Sequence, residues 1–453
     1  MGGVHRHPVG LKTITKPKTM RKLLFFLFIT SLSCIAVAVT SCSAKQNDGT
    51  GFVTVTDGKF FIDGKQYKYV GTNFWYGAIL GSEGRGGNRN RLCAELDTLR
   101  SVGINNLRVL VGGDGDEGIA SHIEPTLQLK PGVYNDTILR GLDFLLAELE
   151  KRDMKAVLYL NNSWEWSGGF GTYLEWAGKG KAPLPSVDGW PAYRDYVKEY
   201  ATCDSAHAMF ARHIRAIVGR VNTITGKPYT ESRAIMSWQI ANEPRAFAED
   251  KKEAFAAWIH DAAKLIKSID ANHLVSTGSE GKYGCEVDIE LWNRIHSYPE
   301  VDYANIHIWP YNWKWIDKDS VSAGVENACL KTREYIEEHY AIISKAGKPL
   351  VLEEFGYPRD NFLFTPGSPT TGRDAYYKYV FSIVAESGMI AGCNFWSWGG
   401  LANPAHEIWQ RGDDYTGDPA QEEQGLNSVF VADKSTIGVI REMTDKITQS
   451  KQP

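Results

Sequence analysis

The sequence predicts an α/β fold in which eight parallel strands close into a (β/α)8 TIM barrel. Eight apolar runs of strand length follow one another along the chain, and amphipathic segments of helical length lie between them. This alternation, without a second composition regime, is typical of one domain with a parallel sheet. Eight strands favour a closed barrel, a fold that tolerates long loop insertions. The runs are residues 69–74, 106–111, 155–160, 235–241, 274–277, 303–307, 349–352 and 392–395.

The segments between the strands are predicted to be helices that cover the barrel. Their apolar residues recur on one face, as expected for helices packed against a sheet. They are residues 93–102, 139–152, 207–221, 252–268, 329–346 and 373–387.

A short β-ribbon is expected before the first barrel strand. Residues 52–70 alternate apolar and polar side chains, and they contain Asp57-Gly58 and Asp63-Gly64, which are dipeptides typical of hairpin turns. We therefore expect an N-terminal β-hairpin that covers one end of the barrel. Long loops are expected at the carboxyl-terminal face.

The amino terminus carries the pattern of an export signal. Arg21-Lys22 precede an apolar stretch, residues 23–39, that is too short for an ordinary transmembrane span. The stretch closes with Val39-Thr40-Ser41-Cys42, which resembles a bacterial lipoprotein cleavage box with Cys42 as the lipidated residue. We expect an exported bacterial protein that this lipid holds at the outer membrane, the cell surface or in the periplasm. Simple secretion after cleavage is the alternative.

These features divide the chain into three parts. Residues 1–42 are the expected signal peptide and lipobox, and residues 1–19 precede a second start at Met20 as either a start-site artefact or a dispensable extension. Residues 43–51 are small and polar and are expected to be a tether. Residues 52–453 are the predicted barrel domain.

Composition excludes several classes of protein. The net charge of −4 provides no basic surface for nucleic acid. The five cysteines after Cys42 form no CxxC pair, so neither a zinc site nor a disulfide framework is indicated. The chain has no G-x-S-x-G element, which disfavours a serine hydrolase. We expect a monomer that uses no cofactor and no metal.

Polar and aromatic residues follow nearly every predicted strand. Catalytic groups in such a barrel come from the carboxyl ends of different strands, so this rim is a candidate active site. The strand-end residues are Asn73, Trp75, Arg108, Asn161, Asn242, Glu243, Ser279, Glu280, His307, Trp309, Glu353, Glu354 and Trp396.

Two glutamates at these strand ends indicate glycosidic bond hydrolysis. Glu243 and Glu354 follow the predicted fourth and seventh strands, which face each other across a barrel mouth. Environments that separate the pKa values of two carboxyls allow one to act as an acid while the other stays ionised. Two carboxyls with divided roles are the basic apparatus of glycosidases. The alternative is a pair of strand-end glutamates in ordinary ion pairs.

Other rim residues are predicted to support the two carboxyls or to bind sugar. Arg108 and His307 are expected to hold a carboxylate, although a buried structural ion pair and a satisfied core histidine are the respective alternatives. Asn242 can offer its amide to a sugar hydroxyl. Tryptophan rings suit the apolar faces of pyranoses. The other predicted binding or support residues are Asn161, Trp75, Trp166, Trp309 and Trp396.

Six motifs together resemble glycoside hydrolase family 5 and, within it, the β-mannanases of the subfamily 7 type. The resemblance covers essentially all of residues 52–440, and the form of the third and fourth motifs is the most specific for mannanases. The motifs are Gly71-Thr72-Asn73-Phe74-Trp75-Tyr76, Leu160-Asn161-Asn162-Ser163-Trp164-Glu165-Trp166-Ser167-Gly168-Gly169, Trp238-Gln239-Ile240-Ala241-Asn242-Glu243-Pro244-Arg245, Ser276-Thr277-Gly278-Ser279-Glu280-Gly281, His307-Ile308-Trp309-Pro310 and Glu353-Glu354-Phe355-Gly356.

The resemblance implies a retaining mechanism in the barrel domain, with Glu243 as acid/base and Glu354 as nucleophile. Glu353 is then structural or supports the site indirectly. The chain departs from the family at Trp309, where members often carry a tyrosine that is hydrogen-bonded to the nucleophile. We expect a carboxyl separation of about 5–5.5 Å, as in retaining enzymes. We also expect the acid/base, Glu243, to have the raised pKa, because an acid has to hold its proton.

The expected function is hydrolysis of internal or near-terminal β-1,4-mannosidic bonds in mannan, galactomannan or glucomannan. One alternative is another β-1,4-glycanase, such as a cellulase, which would share the catalytic pair. The other is a lipid-anchored glycan-binding protein without catalysis. The expected partner is the polysaccharide or an oligosaccharide, and contact with a membrane is expected only through the anchor at Cys42.

Overall fold

A computed structural model describes residues 49–449. The predicted signal peptide, the lipobox and most of the tether lie outside the described residues.

The strands are β1 (Val53–Thr56), β2 (Lys59–Ile62), β3 (Lys65–Tyr67), β4 (Tyr69–Asn73), β5 (Asn106–Leu110), β6 (Gln128–Lys130), β7 (Val133–Tyr134), β8 (Lys155–Tyr159), β9 (Ile235–Gln239), β10 (Leu274–Ser276), β11 (Ala304–Ile308), β12 (Leu350–Phe355), β13 (Gly392–Phe395), β14 (Trp398–Gly400) and β15 (Val429–Phe430). The α-helices are α1 (Gly77–Leu80), α2 (Arg89–Ser101), α3 (Asp136–Lys151), α4 (Gly169–Trp176), α5 (Pro185–Asp188), α6 (Trp190–Val197), α7 (Asp204–Val218), α8 (Lys252–Ile269), α9 (Ile289–Ser297), α10 (Val325–Ile343), α11 (Thr371–Glu386) and α12 (Lys434–Gln449).

Eight of the strands form one parallel sheet that curves into a barrel. Its order is β10-β9-β8-β5-β4-β13-β12-β11, so the first barrel strand, β4, pairs with the last, β13. The two end strands of this order are also joined. The N–H of Asp302 donates to the carbonyl of Val275 at 2.8 Å, and the N–H of His307 donates to the carbonyl of Glu280 at 3.1 Å. The sheet is therefore a nearly closed (β/α)8 barrel, which confirms the predicted fold.

All eight predicted runs are barrel strands, and the largest difference in bounds is at β12. The sequence predicts an end at residue 352, whereas the strand continues to Phe355. It continues because β11 keeps pairing with it beyond a register shift, and His307 lies opposite Glu354. Both glutamates of the Glu353-Glu354 pair are consequently held inside a strand and point to different surroundings.

Helix α3 shows how the sequence determines the outer layer. The side chain of Asn135 accepts a hydrogen bond from the N–H of Thr137 at 3.1 Å, which caps the first turn. Leu142, Leu145 and Leu149 recur at helical spacing and are fully buried. The six predicted helices are present as α2, α3, α7, α8, α10 and α11. The structure adds six further helices that the sequence analysis does not predict, namely α1, α4, α5, α6, α9 and α12.

The N-terminal ribbon has three antiparallel strands, β1 to β3, rather than the two of the expected hairpin. Both Asp-Gly dipeptides reverse the chain, and Asp57 and Asp63 each have φ = 48°. Phe60 is buried in a cluster with residues at or near the starts of barrel strands, including Tyr69 and Met236. The ribbon therefore covers the amino-terminal end of the barrel, opposite the predicted site.

A long segment follows the last barrel strand. Residues 401–428, which we call the rim loop, connect β14 to β15 at the carboxyl-terminal face. These two short strands pair with each other outside the barrel sheet. The predicted long loops at this face are thus present.

Within residues 49–449, none of the five cysteines forms a disulfide, and Cys203, Cys285 and Cys393 are buried. The helices of the same residues are all too short or too polar to cross a lipid bilayer.

Candidate active site

The barrel brings Glu243 and Glu354 together at its carboxyl-terminal face. Glu243 follows β9 by four residues, and Glu354 lies in β12. One oxygen of each carboxyl lies within 4.8 Å of the other, and a His307 ring nitrogen lies within the same distance of both. Such a short separation corresponds to a retaining pair, since inverting pairs lie about 6.5–9.5 Å apart.

The backbone at Glu243 is held in an uncommon conformation. Its φ is +45°, in the left-handed region that non-glycine residues rarely adopt. The hydroxyl of Ser163 donates to the Glu243 carbonyl at 2.5 Å, and the Glu243 N–H donates to the carbonyl of Gly278 at 3.0 Å. Gly278 has φ = +82°, and a Cβ there would lie 1.9 Å from the carbonyl of Ala241. A glycine is therefore needed for the chain after β10 to lie against Glu243.

Two N–H donors orient the Glu243 carboxyl. The indole N–H of Trp164 donates to Oε2 at 2.6 Å, and Nδ1 of His307 lies 2.7 Å from Oε1. His307 also lies 3.4 Å from Oε2 of Glu354. It therefore bridges the two carboxyls.

Arg108 holds the Glu354 carboxyl from inside the barrel. Its Nη1 donates to Oε1 of Glu354, and its Nη2 donates to Oδ1 of Asn242 at 2.8 Å. Its Nε donates to Oε1 of Gln239 at 2.8 Å. Arg108 is fully buried and lies below the cleft, so it supports Glu354. Both interpretations from the sequence apply to Arg108, because it supports the carboxylate and forms a buried ion pair with it.

Burial determines the electrostatics of the pair. It raises the pKa of Glu354 well above the usual range; Arg108 opposes this shift and the neighbouring Glu243 carboxylate adds to it. Burial, with the charge of Arg108, lowers the pKa of His307 well below its usual range, so its imidazole is neutral. A raised pKa thus belongs to the predicted nucleophile, Glu354, because its side chain lies deep and is only 3% exposed.

Glu353 points away from the cleft into the barrel interior. Its Oε2 accepts from Nε2 of Gln239 at 2.6 Å, and its Oε1 accepts from the Tyr303 hydroxyl at 3.3 Å. It is fully buried. The structure therefore separates the neighbouring glutamates into one that faces the cleft and one that belongs to the core.

The two carboxyls open into a cleft of about 1590 Å³. This volume exceeds that of a typical small-molecule pocket, and it suits a chain of several sugar rings. Four predicted binding residues line the cleft: Trp166, Asn242, Trp309 and Trp396. The indole N–H of Trp396 is buried and has no partner among the described residues. It is a donor available to a bound sugar.

Two predicted binding residues do not reach the cleft. Trp75 is 1% exposed, and its indole N–H donates to the carbonyl of Gly417 at 2.7 Å, so it supports the rim loop. Asn161 is 1% exposed, and its Oδ1 accepts from the N–H of Asn162 at 2.8 Å. Both follow barrel strands, but their side chains turn into the packing beside the mouth.

A second group beside Glu243 was not assigned a role from the sequence. Arg245 pairs with Glu280, and the indole N–H of Trp313 donates to Glu280 Oε1 at 3.1 Å. The Arg245 guanidinium lies 5.3 Å from the ring of Trp164. All four residues line the cleft. Trp164, Arg245 and Glu280 lie inside the quoted motifs, whereas Trp313 follows the His307-Ile308-Trp309-Pro310 motif by three residues.

Comparison with known proteins agrees with this geometry. The family model described as GH family 5 beta-mannosidase-like matches residues 50–452. The chain belongs to glycoside hydrolase family 5. It is therefore a glycoside hydrolase of the β-mannosidase-like group, as the motifs suggested.

Two kinds of relative illustrate the family. Mannan endo-1,4-beta-mannosidase 1 of rice (Oryza sativa subsp. japonica) is 28% identical over 432 residues, which are 90% of this chain and 89% of that protein. The crystal structure of a glycoside hydrolase family 5 mannosidase from Rhizomucor miehei has a TM-score of 0.81 at 31% identity and covers 89% of this chain and 99% of its own. A mutant of that enzyme in complex with mannosyl-fructose has a TM-score of 0.82 at 30% identity, and it covers 89% of this chain and 99% of its own.

Proposed function

We propose that this family 5 enzyme hydrolyses β-1,4-mannosidic bonds by a retaining double displacement. The observation that carries the proposal is the pair Glu243 and Glu354, whose carboxyl oxygens lie within 4.8 Å of each other across an open cleft. A sugar bond placed between them is within reach of both groups, with no room for an intervening water.

In the first step, Glu354 attacks the anomeric carbon while Glu243 protonates the departing glycosidic oxygen. Burial disfavours two negative charges in one site, which favours a state of the pair with one proton. Arg108 donates to Glu354 and not to Glu243. When the glycosidic oxygen takes the proton from Glu243, Arg108 stabilises the charge that Glu354 uses as a nucleophile.

In the second step, water cleaves the ester between the sugar and Glu354. Glycosylation removes the negative charge of Glu354, so Glu243 becomes the base that takes the proton of the incoming water. His307 is neutral and keeps Glu243 oriented through the 2.7 Å contact in both steps.

Mannan is supported as the substrate by the names of the relatives, and the tryptophans support a polysaccharide more generally. Trp166, Trp309 and Trp396 offer flat faces beside the carboxyls. A cellulase would share this catalytic pair, because the two sugars differ at one hydroxyl. A protein that only binds glycans would have no need for two oriented carboxyls.

We expect release of reducing sugar from mannan, galactomannan or glucomannan, with a much lower kcat/KM on carboxymethyl-cellulose. Parallel assays of the four polysaccharides with residues 50–453 measure this preference. Strong turnover of carboxymethyl-cellulose with none of mannan would contradict the substrate assignment and leave the two-carboxyl mechanism intact.

We also propose that the protein is exported as a monomer and anchored by a lipid on Cys42. The support is the sequence of residues 20–42 alone, which places a cysteine directly after small residues at the end of an apolar segment.

For the full-length chain in a Gram-negative host, we expect processing that globomycin blocks and partition into the detergent phase. The Cys42→Ala variant is expected in the aqueous phase, because it lacks the thiol that carries the lipid. A Cys42→Ala protein that is processed normally and still partitions with detergent would contradict the anchor.

A further inference from the structure

The rim loop, residues 401–428, is fixed across one side of the barrel mouth. Nη2 of Arg411 pairs with Glu124 at 2.7 Å, and the hydroxyl of Tyr415 donates to the Glu124 carbonyl at 2.6 Å. Nη2 of Arg91 donates to the Tyr415 carbonyl at 2.9 Å. Since Glu124 follows β5 and Arg91 lies in α2, the loop is bound to the elements after the first two barrel strands. It forms a wall there.

A buried carboxylate shapes the tip of this wall. Asp418 is fully buried and accepts from the N–H groups of Gly425 at 2.8 Å, Asn427 at 3.1 Å and Ser428 at 3.2 Å. These bonds close the turn of residues 418–428 upon itself. The side chains that this turn presents are therefore held in place before substrate arrives.

Six residues of this turn line the cleft. Gln421 and Glu422 line the same cavity as Glu243 and Trp396. Oε1 of Gln421 is buried and has no hydrogen-bond partner among residues 49–449. Glu165, in the loop after β8, is 3% exposed. Its Oε2 is also buried and has no hydrogen-bond partner among the same residues.

Neighbouring acidic groups affect the protonation of Glu422. Burial and the charge of Asp418 raise the pKa of Glu422 to about 8, and the charges of Glu165 and Glu243 contribute to the shift. A neutral carboxyl both donates and accepts hydrogen bonds. Buried polar atoms without partners are costly, and a ligand rich in hydroxyls would satisfy them.

The position of the acid/base indicates which end of the substrate meets this wall. Trp164 donates to Oε2 of Glu243 and has Arg245 beside it, whereas His307, which also reaches Glu354, contacts Oε1. We therefore assign the leaving sugar to the Trp164 side of Glu243, because Glu354 attacks the sugar on the other side of the bond. The part of the cleft formed by Trp396 and the rim loop therefore receives the sugar whose anomeric carbon Glu354 attacks, that is, the glycone side.

We propose that the rim loop closes the glycone side of the cleft and that Glu422, with Gln421, binds hydroxyls of the non-reducing terminal ring. The enzyme then removes short products from chain ends and does not cut at internal positions. This inference rests on the proposed hydrolysis of mannosidic bonds and adds the position along the polysaccharide at which the enzyme cleaves.

The first test follows the products of β-1,4-mannohexaose that carries a fluorescent label at its reducing end. At less than about a tenth of conversion, we expect one unlabelled short product and one correspondingly shortened labelled product. A spread of labelled fragments, with a rapid fall in the viscosity of mannan, would overturn the inference while confirming mannan hydrolysis. Absence of any hydrolysis would instead overturn the proposed function.

The second test replaces Glu422 with glutamine, which keeps the shape and removes the carboxyl. We expect kcat/KM on the labelled hexaose to fall about 10- to 100-fold, the effect of a lost hydrogen bond to a buried or charged partner. KM should account for more of this fall than kcat, since Glu422 binds hydroxyls and does not touch the reacting bond. The same variant should keep the Tm of the wild type.

The matched control is Glu407→Gln, which removes an exposed carboxyl from the same loop outside the cleft. It should leave both kcat/KM and the product pattern unchanged. A Glu422→Gln enzyme with wild-type kcat/KM and the same products would overturn the role of Glu422. Equal losses in both variants would assign the effect to the loop in general and would overturn it too.

Discussion

Replacing Glu354 with alanine should abolish hydrolysis, lowering kcat by about 10⁴-fold or more. The variant lacks the oxygen that forms the covalent intermediate, and the interaction it loses is made only in the transition state. The loss should therefore appear in kcat, while KM changes little. Steady-state rates on manno-oligosaccharides measure it, with the Tm as a check on folding.

The neighbouring residue provides a matched control for this prediction. Glu353→Gln removes a carboxyl one position earlier in the same strand, but that side chain faces the barrel interior and bonds Gln239 and Tyr303. An amide can keep one of these contacts, so we expect some loss of stability and a much smaller loss of kcat than in Glu354→Ala. An inactive Glu353→Gln with an active Glu354→Ala would show that the nucleophile has been placed one residue too late.

Replacing Glu243 with alanine should produce a loss that depends on the leaving group. On mannan, where the departing oxygen needs a proton, we expect kcat/KM to fall about 10²- to 10⁴-fold. On 2,4-dinitrophenyl β-mannoside the leaving group needs no proton, so the first step should stay fast. The second step lacks its base, and the glycosyl-enzyme should accumulate, visible as a burst of dinitrophenolate and a low KM.

Azide distinguishes this account from a simple structural defect. Because the anion needs no general base, it should accelerate turnover of the dinitrophenyl substrate by the Glu243→Ala variant and give β-mannosyl azide. Glu249→Gln, which changes an exposed glutamate, should behave as the wild type. An equal loss of kcat/KM on mannan and on the activated substrate, without an effect of azide, would contradict the acid/base role.

Most of the barrel could be predicted from the sequence because its strands are buried on both faces. Such strands appear as continuous apolar runs, and the turns that end them place polar groups at one rim. The end of β12 could not be predicted in this way, since Glu353 and Glu354 interrupt the apolar pattern. The pairing of β11 with β12 beyond the register shift, where His307 lies opposite Glu354, keeps them in the strand.

Site residues could be predicted where the position at a strand end determines that the side chain points into the cleft. They were harder to predict where a loop covers the side chain. Glu243, Glu354, His307 and Trp396 lie together at the mouth, as expected. Trp75 also follows a barrel strand, but the rim loop covers it and takes its indole N–H. That contact joins residues more than three hundred positions apart, and no local pattern indicates it.

The raised pKa of Glu354 could not be predicted for a similar reason. The sequence shows which carboxyl resembles a family's acid, but the depth of each group depends on the closed barrel. The Glu354 side chain lies deeper than that of Glu243, and this burial raises the pKa of Glu354. The assignment of proton donor and nucleophile in the reaction therefore rests on Arg108, which donates to Glu354 alone of the two.

The most direct test of the retaining mechanism is the anomeric form of the first sugar released. Proton NMR of a mannobioside or mannotrioside digest, recorded before mutarotation, distinguishes the two anomers. A double displacement at Glu354 with protonation by Glu243 predicts that the β-anomer appears first and then equilibrates to the mixture. Initial appearance of the α-anomer would show a single inverting displacement and would contradict the roles given to both carboxyls.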